Sequence, residues 1–372
     1  MNFSTTVSEK PRVKFTNKDK SRFFNTLRAN VDDYFKDNQL SRHANGEMVI
    51  KTIILLSAYI IPYACMLVFH LSLIWVFGAF AVMGFAMAGI GMAIMHDANH
   101  GAYSKNKNVN KLLGYTLNMV GVTVFNWKLQ HNVLHHTYTN IQGMDDDLDG
   151  PPAVRFSPHH PLKPMHKYQH IYVFFFYSLL TLNWVVLKDF IQLIRYRKNG
   201  INKSNKKEYN KNIAVLILSK LSYITYMIVI PCVFFHYSFL AIFTGFLLMH
   251  VISGLILSIT FQLAHSVEHV DFPLPNNQNE IENDWAIHQV NTTVDFARKS
   301  RILNWYLGGL NFQVEHHLFP TICHIHYKAL SEIVKNTSAE FGIKYLENRT
   351  LGDAIRSHLI TLKRFGTEVA PV

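Results

Sequence analysis

The 372-residue chain carries 36 Lys and Arg against 25 Asp and Glu, a formal net charge of +11. That excess suits contact with anionic lipid headgroups, whereas no compact basic module of the kind used to bind nucleic acid stands out. Its three cysteines, Cys65, Cys232 and Cys323, are too scattered for a disulfide framework or a Cys-based zinc site.

Residues 1–47 are polar, lack the apolar core of a secretory signal, and read as a cytoplasmic N-terminal tail. Phe23, Phe24, Leu27, Val31, Tyr34 and Phe35 recur there at helical spacing, a stripe suited to lying on a membrane or packing on a catalytic domain. Residues 52–95 then contain no Asp, Glu, Lys or Arg. A hydrocarbon core of ~30 Å needs about 20 residues per crossing, so this stretch crosses twice, turning at His70 and Ser72. A second uncharged stretch, Leu221 to Ser266, does the same around His236-Tyr237-Ser238. The predicted spans are about 50–70, 73–95, 217–236 and 240–264.

Between the hairpins, about 112–125 is apolar but short, and Ile171 to Leu187 is apolar but followed by a basic block. Both predict interfacial helices, the second over about 171–195, because a fifth crossing would place the later histidines on the wrong side of the membrane. All Lys and Arg fall in 10–51, 105–220 and 298–364, leaving the hairpin tips bare and assigning the rest to the cytoplasm. The expected fold is an all-α integral membrane protein: two transmembrane hairpins, a domain over 48–345, a cytoplasmic helical cap holding a dinuclear metal site, and a C-terminal tail over 346–372.

Three histidine clusters carry the chemistry: His96-Asp97-Ala98-Asn99-His100, His131-Asn132-Val133-Leu134-His135-His136 and Gln313-Val314-Glu315-His316-His317. Neutral imidazole is the commonest protein metal ligand, and a single ion takes about four, so these seven plus His265 at the end of the last span imply two ions. On an α-helix His96 and His100 share a face and His131 and His135 repeat that pair, with His136 turned toward a second ion. His269 is a weaker candidate. Asp97 and Glu315 are candidates for orienting ligand N–H groups, as are Glu268 and the run Asp145, Asp146, Asp147 and Asp149, although a solvated loop explains that run as well. His43, His159, His160, His166 and His170 are expected at the surface or in structural roles, with His288, His324 and His326 as possible supports of the site. Gly308-Gly309 reads as a turn that also permits close backbone approach. Phe125, Trp127, Trp305 and Tyr306 are candidate walls of a substrate tunnel.

These boxes, in this order and spacing over about 45–345, resemble the membrane fatty acid desaturases, and Gln313 in Asn311-Phe312-Gln313-Val314-Glu315-His316-His317 is similar to the front-end branch. The resemblance implies O2-dependent di-iron chemistry, with His96, His100, His131, His135, His136, His265, His316 and His317 as ligands and Gln313 as a weaker donor. It implies double-bond insertion into a fatty acyl chain carried by CoA, carrier protein or lipid, on the carboxyl side of an existing double bond. The His-Pro-Gly-Gly signature of a fused cytochrome domain does not occur, so the donor is expected to be a separate ferredoxin or cytochrome. Competing expectations are an acyl-chain hydroxylase on the same scaffold, a zinc-dependent membrane hydrolase and a metal transporter.

Overall fold

The computed structural model describes residues 13–17, 20–148 and 150–368; Asp149 lies outside the described residues. Helix α1 (Phe23–Asp37) buries Phe23, Leu27, Val31 and Phe35, the i, i+4 stripe legible in the sequence. The stripe packs against Val290, Phe312, Leu318 and Leu330, so of its two possible resting places it takes the catalytic body.

Helix α2 (Gly46–Phe69) begins at Asn45, whose side chain accepts from the Met48 N–H, and ends at His70 in a left-handed conformation. Helix α3 (Leu73–His100) contains a π-turn over Ile90–Ile94, just before the first box. The single interfacial helix expected near 112–125 does not form. Short helices Lys107–Gly114 and Thr116–Met119 precede a left-handed Gly121 (φ 79°), and helix α4 (124–138) then carries the second box through a π-turn over Leu129–His135.

The helix expected over 171–195 is instead a pair, α5 (Pro164–Ser178) and α6 (Leu180–Lys198), bent by 54°. Near the bend, Thr181 Oγ1 donates to the carbonyl of His250, whose position on the last span is about 22 Å from His265 at 1.5 Å per residue. The bend therefore reaches deep into the bundle. The far end of α6 returns to the second-box loop, where Arg195 and Tyr196 both bind Asp146.

Helix α7 (Lys206–Val233) starts earlier than the expected 217, because Asn205 and Glu208 form a capping box that launches the helix in polar sequence. Helix α8 (Phe239–His265) is capped by Ser238 and ends on His265. Four helices, α2, α3, α7 and α8, are long and apolar enough to cross a membrane, or five if the bent pair counts as one span.

The cap follows: α9 (Trp285–Thr292), a short helix Arg301–Tyr306, α10 (Gln313–Leu318) with the third box, and α11 (Tyr327–Glu340). Two brief parallel pairings, Lys14–Phe15 with Glu280–Ile281 and Asp295–Phe296 with Glu347–Asn348, tie distant segments together. The C-terminal segment is more than a tail. Helix α12 (Leu351–Thr367) opens on a Thr350–Asp353 capping box, and His358 accepts from the Tyr177 hydroxyl at 2.7 Å while its Nδ1 donates to the Ser266 carbonyl at 2.7 Å.

Candidate metal centre

The end of α3 carries His96 and His100, the end of α8 carries His265, α4 carries His131, His135 and His136, and α10 carries His316 and His317. The result is a cluster of imidazoles with almost no exposure: His96, His131, His135, His136, His265, His316 and His317 are each at most 6 % accessible. Ligand nitrogens of His96, His100, His131 and His316 lie within 4.8 Å of one another, as do those of His135, His265 and His317. His136 stands between the groups, its ring centroid 4.6 Å from that of His316 and 4.5 Å from that of His317. The structure therefore brings together all eight expected imidazoles. It also places Gln313, buried, against His265, with the amide nitrogen lacking a protein partner.

The second box takes part in more than one grouping: the expected His131 and His135 pair lies within 4.8 Å together with Asp147, while His131 also joins the first box and His135 also joins His265 and His317. The cause is the π-turn, in which the His136 N–H bonds the His131 carbonyl five residues back. The residue one turn from His131 is then His136, whose Nε2 lies 3.2 Å from His131 Nε2. His96 Nε2 is 3.0 Å from the same atom.

Donor chemistry tests whether a metal fits. Among the described residues, Nε2 of His100, His135, His265, His316 and His317 is buried without a protein hydrogen-bond partner. Four of these rings are held from behind at Nδ1: His135 by Asp145 at 3.1 Å, His265 by the Thr292 carbonyl at 3.2 Å, His317 by Gln289 Oε1 at 2.8 Å, and His316 beside the Tyr327 hydroxyl at 3.3 Å. An Nδ1–H donated outward fixes the tautomer that leaves the inward Nε2 lone pair for a metal. Burial, then the neighbouring imidazoles, push His131, His136, His316 and His317 well below the usual histidine range, so they are neutral at pH 7 as ligands must be. His135 is the exception. Burial opposes its charge, but Asp145 and Asp147 carry it up to about 9, so a metal would displace a proton there.

Three of these supports, Gln289, Thr292 and Tyr327, carried no signal in the sequence: an ordinary Gln, Thr and Tyr far from the boxes say nothing of a ring they will hold. Gln289 also donates to the His136 carbonyl and accepts from Thr139, fastening the second box to the third. Of the acidic run, Asp145 holds His135, and Asp147 lies 3.4 Å from the same ring.

The two carboxylates inside the boxes do not orient the ligand rings. Asp97 accepts from the backbone N–H and Nδ1–H of His324, the latter at 2.8 Å, while Lys51 donates to His324 Nε2 at 2.8 Å. Glu315 turns away toward Asp295, and the Tyr345 hydroxyl reaches both. Burial raises Asp295 to about 6, and burial with the Asp295 charge raises Glu315 well above the carboxylate range, so the pair shares a proton. Asp295 also caps the third-box helix through the Val314 N–H.

His269 is exposed, in a left-handed turn past the end of α8, and outside the cluster. His288 packs at a tilt against Phe15 and His326 edge-on against Phe35, and neither belongs to the ligand groups. Glu268 lies in the same turn as His269, its N–H bound to Ser357. Gly308 and Gly309 (φ 59° and 70°) do permit close approach: a Cβ on Gly308 would stand 2.5 Å from the Met92 carbonyl in the π-turn of α3, and one on Gly309 would stand 2.7 Å from His324 Cβ.

Beside the second group lies a cavity of about 680 Å³, walled by His131, His135 and His265, by Trp127 and Phe261, and by aliphatic side chains of α3, α6 and α8. That volume falls within the range of small-molecule sites. Trp127 is a wall as expected. Phe125, Trp305 and Tyr306 do not line it: Trp305 packs under the Lys51 ammonium and Tyr306 donates instead to the Phe85 carbonyl, contacts that engage both rings elsewhere.

Fold and site together define a helical membrane protein whose imidazole clusters, fit to hold metal, face an apolar, chain-sized cavity. Residues 71–349 match the family model for fatty acid desaturases. The chain is 36 % identical over 344 residues to an sn-1 linoleoyl-lipid 6-desaturase of Arthrospira platensis, covering 92 % of each. It is 34 % identical to an sn-1 linoleoyl-lipid 6-desaturase of Synechocystis sp. (95 % of this chain, 98 % of the relative) and 34 % identical to an acyl-lipid (8-3)-desaturase of Physcomitrium patens (96 % and 74 %). The chain belongs to the fatty acid desaturase family and is an oxidoreductase of lipid metabolism. These relatives do not favour the hydroxylase, hydrolase or transporter alternatives.

Proposed function

We propose that this chain is an O2-dependent di-iron acyl-lipid desaturase that inserts a double bond on the carboxyl side of an existing one. The observation that carries this is the set of five buried Nε2 atoms without protein partners, converging beside the apolar cavity. His96, His100, His131 and His316 would hold one iron and His135, His265 and His317 the other, with His136 between them and Gln313 at the edge of the second group. Imidazole suits iron among other transition metals. An iron pair supplies the O2 activation and one-electron chemistry that removal of hydrogen from an unactivated methylene demands.

The chain's own residues do the rest. Asp145, Gln289, the Thr292 carbonyl and Tyr327 hold each ring with its lone pair inward. The cavity lays an acyl chain against His131, His135 and His265, and because methylenes are chemically alike, position is chosen by where the chain is held. The Lys and Arg asymmetry supports a cytoplasmic active site, α1 and α12 pack on the 48–345 body as part of one unit, and a separate ferredoxin or cytochrome is the proposed source of electrons.

The test is expression in a desaturase-free host fed linoleate and stearate in parallel, with double bonds located by mass spectrometry and iron measured on the purified protein. Close to two irons per chain and a new carboxyl-side double bond in linoleate are expected. Exclusive desaturation of stearate would remove the front-end assignment, and stoichiometric zinc in an active preparation would remove the di-iron one.

A further inference from the structure

Specificity that counts from the carboxyl end of a chain needs a polar anchor at a fixed distance from the metals. The cavity wall contains one donor pair suited to that task. Lys188 and Trp184 both line the cavity from α6, one helical turn apart, with the Lys188 ammonium 4.3 Å from the Trp184 ring centroid. The Trp184 indole N–H is buried and has no acceptor among the described residues. A buried donor left unpaired costs about 1–3 kcal/mol, so this is an unusual group to leave in a cavity wall without a purpose.

Asp146, Asp147 and Asp189 all act on Lys188 through their charge, but each has a closer partner. Asp189 takes Lys220 at 2.7 Å, Asp146 takes Arg195 and Tyr196, and Asp147 takes Gln130 Nε2 at 2.5 Å. Among the described residues, Lys188 forms no ion pair within 4.0 Å, while Arg195, the other cation of the wall, does. The same wall includes Ile191, which is 57 % exposed, so the cavity reaches the surface on this face of α6.

Resting on the desaturase reading, we propose that the Lys188 ammonium and the Trp184 indole N–H bind the acyl carbonyl oxygen of the substrate and set the register of its chain against the metal centre. Both are donors, which matches an acceptor-only carbonyl oxygen. The same chemistry is offered by the ester of a glycerolipid and by a thioester, and the cation–π contact holds the ammonium at the ring without neutralising it.

The experiment uses membranes containing the full chain, given linoleoyl-phosphatidylcholine in one arm and linoleoyl-CoA in the other, with Lys188→Met and Trp184→Phe beside the unaltered protein. Loss of a charged hydrogen bond predicts a rise in KM of ~10-fold or more for Lys188→Met and a smaller rise for Trp184→Phe. Products should also spread to neighbouring double-bond positions, a change that a merely structural role would not produce. The arm in which KM moves identifies the carrier. Unaltered KM and a single unaltered position in both variants would overturn the assignment. Should Lys188→Met fail to accumulate, Lys188→Gln, which keeps a donor of shorter reach, is read against the same two outcomes. An unaltered chain that desaturates neither substrate would instead sink the desaturase reading, and this one with it.

Discussion

The two hairpins each pair a helix that faces lipid with one that faces protein. In α2 and α7 only 22 % of the most apolar window is buried, whereas the figure is 50 % in α3 and 44 % in α8, at nearly equal hydropathy. The buried helices are the ones that end in metal-facing histidines. Hydropathy therefore marks a helix as a span without saying whether it is wall or scaffold. What separates them is small residues: a Cβ on Gly84 of α3 would lie 2.8 Å from the Met249 carbonyl of α8, a close approach typical of helix packing inside a bilayer.

The comparison breaks if the inner helices do not serve the metals. His265→Ala, at the end of α8, is expected to abolish desaturation and lower bound iron, while His269→Ala one turn on leaves both unchanged. Iron retained by His265→Ala at normal protein level would detach α8 from the centre.

Helix α7 nonetheless turns an inward stripe of Leu216, Lys220, Tyr223 and Met227 to the protein, and its polar member sharpens the contrast. Lys220 donates to Asp189 and to the Gly121 and Trp184 carbonyls, and Asp189 in turn accepts from the Thr123 N–H and Asn126 at the start of the second-box helix. Removing one partner of a buried pair costs ~3–5 kcal/mol, so Lys220→Met should lower thermal stability in detergent by that order. A stability loss near zero would mean that the Lys220–Asp189 pair does not fasten α7 to the second-box helix.

In the cap, Gln289→Ala removes the acceptor behind His317, for which a loss of ~10–100-fold in metal affinity or activity is expected. Restoration by Gln289→Glu would separate ring orientation from packing. Gly84→Leu should then destabilise by ~1–3 kcal/mol through overpacking against α8, whereas Ile61→Leu on the lipid face of α2 changes little. Equal effects of the two would erase the distinction between inner and outer helices.

The smallest effect concerns α12. Burial lowers His358 to about 4 from an unfolded value near 6.5, so the docked helix prefers neutral imidazole. That contribution is complete above pH 6.5 and is lost as pH falls toward 4. Amide exchange of α12 should accelerate over this window, and His358→Gln should flatten the response.

Much of this was legible in residue order. The His96–His100 spacing, the stripe Phe23, Leu27, Val31 and Phe35, and the uncharged runs all express periodicities of one helix. The pairing of His131 with His136 was not, because a π-turn leaves the residue types unchanged while shifting which of them share a face. The supports at Gln289, Thr292 and Tyr327 were silent for another reason: hydrogen bonds across 11 to 28 residues are set by how the cap folds. The 54° bend between α5 and α6 lay hidden in a stretch apolar enough for one continuous helix.

The sequence by itself determined that the chain is a membrane protein of two apolar hairpins with clustered imidazoles suited to metal, since hydropathy and residue type are local properties. Only the tertiary structure decided how eight imidazoles divide into two groups, which nitrogen each presents, and where an acyl-sized cavity meets them. Those depend on contacts between segments far apart in the chain, and on a few polar groups whose burial becomes tolerable only once their partners arrive.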